Sequence, residues 1–368
     1  MNAAVLQVTT PGDAPVAGAA DPVLRVENLT LAFRARGRSA DVLNAVSFEL
    51  RPGETLCLVG ESGCGKSMTA LAIMRLVPEP GRIGGGRVLL RGEDLAARDE
   101  GAMRQVRGNS ISMIFQEPMT ALNPVYTVGE QIAEPLRLHQ GLDKAGARAR
   151  AIEMLRSVGI PAPERRVDDY PHQMSGGMRQ RVMIAIALAC DPAVLIADEP
   201  TTALDVTVQA QIFDLLREQQ ARRGTAVLMI THDMGAVSEM ADRIVVMYGG
   251  RIVEQGACRD VLTEPLHPYT QGLIACLPEL DREPDEARPD LPEIPGVVPS
   301  IWDRGPGCPF QARCERAMPR CGEAFPPLAR PSRAGAMHGD ADAAMASDAA
   351  ASGAEHGVAC WLYVEAQS

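Results

Sequence analysis

Leu56-Cys57-Leu58-Val59-Gly60-Glu61-Ser62-Gly63-Cys64-Gly65-Lys66-Ser67 decides the fold of this chain. Its first four residues are an apolar run, as a buried strand requires. Gly60 to Ser67 fits the pattern GxxxxGKS, and Met68 to Leu76 continues as an apolar helix. Strand, glycine-rich loop and helix are the context in which that pattern cradles phosphate. Gly60, Gly63 and Gly65 let the backbone turn its N–H groups inward, with Glu61, Ser62 and Cys64 between them. The helix N-terminus adds the positive end of its dipole. Lys66 is placed for the β and γ phosphates, and the Ser67 hydroxyl for Mg²⁺. The chain has only one other lysine, Lys144, its remaining basic side chains being arginine.

Downstream, Val194-Leu195-Ile196-Ala197-Asp198-Glu199 is an apolar strand ending in two carboxylates. Asp198 can hold Mg²⁺ directly or through water, and Glu199 can polarise a water for in-line attack on a γ phosphate. Taken alone, such a pair is as often a solvated loop end. The phosphate loop upstream favours the chemical role. Strand-like runs at Val42 to Leu50, Ile111 to Phe115, Val194 to Ala197 and Ala226 to Ile230 alternate with helical stretches, including Val208 to Gln220. That alternation predicts an α/β fold, a mainly parallel sheet with helices on both faces. From 117 to 173 the pattern is helical, with Val128 to Leu138 and Lys144 to Val158 as helices.

The chain of 368 residues carries a net charge of −11. That acidity argues against nonspecific nucleic-acid binding, which needs a basic surface to displace counterions. No apolar run reaches the length of a membrane-spanning helix. Residues 1–22 lack the basic start and apolar run of a signal peptide, so they are expected to be a disordered leader of a cytoplasmic protein. Residues 334–357 are Ala, Gly, Asp and Ser with almost no large apolar side chain, and are expected to be a flexible insertion.

Met174-Ser175-Gly176-Gly177-Met178-Arg179-Gln180-Arg181 follows the helical region. With Gln116 after its strand, Ala203-Leu204-Asp205 after the acidic pair and His232 after the strand Val227 to Thr231, it completes an ordered set. In that order the chain resembles the ATP-binding cassette (ABC) ATPases over about 23–261. The resemblance implies a P-loop core with an antiparallel β subdomain and a helical subdomain at about 117–180. Gln116 would be the Q-loop residue sensing the γ phosphate, Mg²⁺ and the membrane partner. His232 would hold the attacking water in line. Ser175, Gly176, Gly177 and Met178 would form the signature, and Asp205 the D-loop, both completing the site of a partner subunit. Phe33 would stack on adenine, the alternative being an ordinary core phenylalanine. Met174 and Met178 stand where the commonest signature has Leu and Gln. Ser-Gly-Gly, whose backbone meets phosphate, is kept.

Transmembrane helices, long coiled coils and a second cassette are all missing from the sequence, which points to a separate transporter ATPase. His267-Pro268-Tyr269-Thr270-Gln271-Gly272-Leu273 and Ile294-Pro295-Gly296 resemble the C-terminal extension of dipeptide, oligopeptide and nickel importers, giving an extension over 262–368. Cys308, Cys314, Cys321 and Cys360 lie in it, four of nine cysteines. Members of that branch can hold a [4Fe–4S] cluster with such residues. Zinc and unligated thiols are the alternatives, the paired Cys-x-x-Cys of zinc ribbons being missing. The remaining cysteines read as small core or helix residues. The resemblance implies hydrolysis of ATP with Mg²⁺ at the cytoplasmic membrane face. The partners implied are a second, paralogous ATPase, two transmembrane permeases and an extracytoplasmic binding protein, with no nucleic acid. The activity implied is uptake of di- or oligopeptides; a nickel or other small-solute importer of the same branch and a soluble, non-transport ABC ATPase are the alternatives.

Overall fold

The computed structural model describes residues 21–35, 37–116, 121–201, 205–276, 293–331 and 356–364. Nearly all of the leader, of the insertion at 334–357, and Ala203 and Leu204 lie outside the described residues. Strands β1 (Leu24–Ala35), β2 (Arg38–Leu50), β4 (Gly81–Leu90) and β5 (Glu93–Asp94) form an antiparallel sheet in the order β2-β1-β4-β5. Their inward residues alternate, as in Leu24, Val26, Leu29 and Leu31 of β1, all essentially buried.

The second sheet holds β3 (Thr55–Val59), β6 (Ile111–Ile114), β7 (Val194–Asp198), β8 (Ala226–Thr231), β9 (Arg243–Tyr248), β10 (Arg251–Ala257) and β11 (Gly357–Val358). Its order is β11-β10-β9-β3-β8-β7-β6. From β9 to β6 the strands are parallel; β10 and β11 continue it antiparallel. β3, β6, β7 and β8 are buried residue by residue, which explains their continuous apolar runs. The parallel register aligns Val59 with Thr231, Asp198 with Ile230, and Ile114 with Ala197, so the loops after these four strands open at one edge.

Helix α1 (Lys66–Ile73) follows β3, and α2 (Glu100–Val106) lies between the β subdomain and β6. The helical region contains α3 (Val128–Gln140), α4 (Lys144–Ser157) and α5 (Pro163–Arg166). Thr127 and Asp143 cap α3 and α4 by accepting from backbone N–H groups, and Gly141 ends α3 in the left-handed conformation. Pro163 opens α5, where its missing N–H costs nothing. Helices α6 (Gly176–Leu188), α7 (Val206–Arg223) and α8 (Met234–Met240) return the chain to successive strands.

Two cores result. One packs β3, β7 and β8 against the helical region; the other packs the sheet's opposite face against the antiparallel sheet and α1. Past β10, α9 (Cys258–Thr263), α10 (Pro268–Ala275) and α11 (Arg320–Glu323) complete the described helices. The chain then re-enters the main sheet as β11, and Ala329 and Val358 exchange both backbone hydrogen bonds at 2.8 Å. Among the described residues no helix is long and apolar enough to cross a membrane.

Candidate functional site at the carboxyl edge of the parallel sheet

Ligands of open α/β sheets bind beyond the carboxyl ends of the strands, and that edge collects most of the residues singled out above. Gly60 leaves β3 with a φ of 148°, and Gly65 precedes α1 at 110°. A side chain at Gly60 would collide with the Met247 carbonyl, and one at Gly65 would come within 2.8 Å of Leu43. The backbone of the loop is therefore pressed against β9 and β2. The Lys66 ammonium, almost wholly buried, donates to the Gly60 carbonyl at 2.6 Å and the Glu61 carbonyl at 3.1 Å. The Cys64 thiol is buried beneath it, which pushes its pKa up, while the Lys66 charge pulls the other way.

The Ser67 hydroxyl donates to Asp198 Oδ1 at 3.1 Å. Burial raises the Asp198 carboxyl; the Ser67 hydrogen bond lowers it and the neighbouring Glu199 charge raises it. A buried carboxylate beside a hydroxyl is a hard-oxygen pair suited to Mg²⁺, which needs only one or two protein oxygens beside water and phosphate. These two residues therefore fit the ion.

Glu199 ties three strand ends together. Its Oε2 accepts from Gln116 Nε2 at 2.7 Å and its Oε1 lies 2.9 Å from His232 Nδ1. Its backbone sits at a φ of 48°, in the left-handed region that costs a non-glycine residue of order 1 kcal/mol or more, and its N–H is held by the Ile230 carbonyl at 2.8 Å. The strain turns the carboxylate out of the sheet toward the ends of β6 and β8.

Ser175 and Asp205 both serve as helix caps. The Ser175 hydroxyl accepts from Met178 N–H at 3.3 Å, and Asp205 accepts from Val208 N–H at 2.9 Å. Among the described residues no hydrogen bond joins 175–177 to the phosphate loop. Nothing lies within 4 Å of the position a side chain would take at Gly176. Met174 is buried and Met178 half-buried against the core, so the two positions that depart from the commonest signature point inward. Phe33 lies on β1, half-buried, beside Gly81, where an added Cβ would stand 2.5 Å from its ring.

The extension forms a second constellation. Cys308, Cys314, Cys321 and Cys360 wall one cavity of about 20 Å³, with His267, Phe310 and Trp361 around them. Burial pushes the Cys308 thiol up to about 11 and raises Cys314 and Cys360 as well. Among the described residues no group of three or more His, Cys, Asp or Glu side chains is placed to hold a metal ion. Cys57, Cys64, Cys190 and Cys258 are buried and Cys276 is half-buried.

One set of contacts was not legible from motif order. Arg313 Nη1 donates to Glu61 Oε2 at 2.7 Å, and the Glu61 N–H donates to the Tyr269 hydroxyl at 2.7 Å. An acidic residue inside a phosphate loop asks for a counter-charge. Nothing in the sequence distinguishes Arg313 from the other arginines.

Two family models match the chain: the ABC transporter model over residues 43–202 and the C-terminal region of oligopeptide/dipeptide transporters over residues 253–321. A putative peptide import ATP-binding protein of Brucella abortus is 52% identical over 316 residues, spanning 84% of this chain and 94% of that one. A probable peptide ABC transporter ATP-binding protein of Sinorhizobium fredii is 52% identical over 310 residues, 84% and 92% of the two chains. Among solved structures, a dimeric ATP-binding cassette in a post-hydrolysis state with ADP and phosphate is 28% identical with a TM-score of 0.58, covering 64% of this chain and 99% of that one. A cassette protein of Clostridium perfringens, part of an ABC transporter complex, gives 0.57, with 28% identity over 67% of this chain and 92% of that one.

Proposed function

The chain belongs to the ABC transporter ATPases, in the branch that carries the oligopeptide/dipeptide transporter C-terminal region, and on that premise we propose that it hydrolyses ATP to drive peptide uptake. The observation that carries this reading is the convergence of Lys66, Ser67–Asp198 and Gln116–Glu199–His232 at one sheet edge. Backbone N–H groups of residues 60–67 and the Lys66 ammonium bind the phosphates. Ser67, Asp198 and Gln116 would hold Mg²⁺, which would offset the charge of the bound phosphates. Glu199 accepts the proton of the attacking water, and His232 and Gln116 hold that water and the γ phosphate in line.

The Ser175-Gly176-Gly177 turn, capped on its own helix and uncrowded at Gly176, faces a partner subunit's phosphate loop, and Asp205 lies at the same junction. A paralogous ATPase is the proposed partner. The helical region at about 117–173 docks two permeases, and the exposed apolar Val125 and Tyr126 belong to that surface. On this reading the chain works at the cytoplasmic membrane face, and an extracytoplasmic protein delivers peptide to the permeases. Residues 23–261 are assigned to nucleotide binding and 262–368 to the extension, in which Cys308, Cys314, Cys321 and Cys360 hold a [4Fe–4S] cluster.

Reconstitution with the permeases and binding protein tests the function. ATP-dependent accumulation of a labelled oligopeptide in vesicles is expected. Hydrolysis that responds to no oligopeptide or dipeptide would remove the peptide assignment and leave the ATPase.

A further inference from the structure

Glu61 is gripped from two sides by residues far along the chain. Arg313, with a side chain only 6% exposed, donates to its carboxylate, while Tyr269, fully buried, accepts from its backbone N–H. Both grips are themselves anchored. Arg313 donates to the Pro295 and Ile294 carbonyls at 2.8 and 2.9 Å and to the Tyr248 hydroxyl at 3.2 Å. The Tyr269 ring packs in a cluster with Tyr248 at 4.6 Å and Phe310 at 5.4 Å between centroids. Tyr269 of the first motif thus bonds Glu61 directly, and Ile294 and Pro295 of the second anchor the arginine that pairs with it.

Two physical consequences follow from this grip. A loop that binds phosphate by its backbone gains affinity when its shape is fixed before the ligand arrives. A carboxylate within that loop repels phosphate unless a cation is paired with it. We propose that Arg313 and Tyr269 are positioning residues of the ATP site: the extension fixes and neutralises Glu61, and nucleotide affinity depends on it. This rests on the nucleotide reading of residues 60–67. Arg313 immediately precedes Cys314, so the peptide segment that walls the cysteine cavity also carries the arginine that holds the loop.

The test uses the full chain and a fluorescent trinitrophenyl-ATP probe with Mg²⁺. Arg313→Gln is expected to weaken binding about tenfold, since it leaves the Glu61 carboxylate without its charged partner. In the assembled transporter it raises KM for ATP and changes kcat less than about twofold. Adding Glu61→Gln to Arg313→Gln is expected to restore affinity to within about threefold of the parent, because no lone charge remains. A merely structural arginine would not be rescued in this way. If Arg313→Gln does not fold, Tyr269→Phe decides, as it removes one hydroxyl and is expected to weaken binding about threefold. Arg313→Gln at parent affinity, no rescue by Glu61→Gln, or an unchanged Tyr269→Phe overturns the proposal. Failure of the parent protein to bind the probe would overturn the nucleotide reading instead.

Discussion

Glu199→Gln separates binding from turnover, and the structure sets the size of the effect. Gln has the length of Glu, so it keeps the backbone at its strained φ with no added cost. Its carbonyl oxygen can accept from Gln116 Nε2, as Oε2 does now at 2.7 Å. Its amide can donate to His232 Nδ1, which lies 2.9 Å from Oε1. Both of these contacts therefore have a replacement, while the basicity is lost. A positioned general base contributes about 10²–10⁴ in rate, or about 3–5 kcal/mol of barrier at 1.36 kcal/mol per factor of ten. Phosphate release from the assembled transporter at saturating ATP is expected to fall by that factor. Nucleotide affinity should stay within about threefold of the parent, and ATP-bound dimers should accumulate in size-exclusion chromatography. Turnover within about threefold of the parent would refute the role of Glu199 as base, and lost nucleotide binding would refute the replacement of its contacts.

Gly129→Ala perturbs the helical region alone: the new Cβ would stand 2.5 Å from the Val167 carbonyl oxygen, which already accepts the Gly129 N–H. A loss of about 1–3 kcal/mol, read as a lower urea midpoint, is expected, and an unchanged midpoint would show that α3 relaxes freely. His267 is buried in the neutral form, burial lowering its pKa to about 4 against the opposing pull of Glu254. The unfolded chain protonates this residue near pH 6.5, so it binds more protons than the folded chain between about 6.5 and 4. Stability should be level above that window and fall through it by up to about 1.4 kcal/mol per pH unit. His267→Asn should flatten this acid limb in urea titrations at several pH values, and identical limbs would refute the assignment. For the cysteines, anaerobically purified protein should be brown with about four irons and four sulfides per chain, and Cys360→Ser should lower both; zinc without iron would overturn the cluster.

How much of this was legible follows from the kind of signal each residue leaves. Gly60 to Ser67 and Val194 to Glu199 could be read because local geometry demands particular residues at fixed spacing: glycine where a Cβ would strike Met247 or Leu43, and an apolar run where a strand is buried on both faces. The helices at 128 and 144 were legible from their periodicity, their starts at Val128 and Lys144 as read and their C-terminal ends misplaced by a residue or two, because the apolar period does not mark where the last turn stops. The antiparallel continuation of the main sheet by β10 and β11 was not read. Gly357–Val358 is two residues long, and its place depends on pairing with a strand a hundred positions earlier. The same holds for the Arg313–Glu61 contact. It is a tertiary pairing of two common charged residues, and only the fold brings them together.

Ala329 and Val358 act as a clasp. By exchanging two backbone hydrogen bonds they close the base of everything between them, so Cys360 takes its place beside Cys321 whatever length of chain intervenes. The entropy of closing such a span rises only by about 0.6 kcal/mol for each doubling of its length. Lengthening the chain between these two residues is therefore expected to leave Cys360 beside Cys321, held there by the clasp itself.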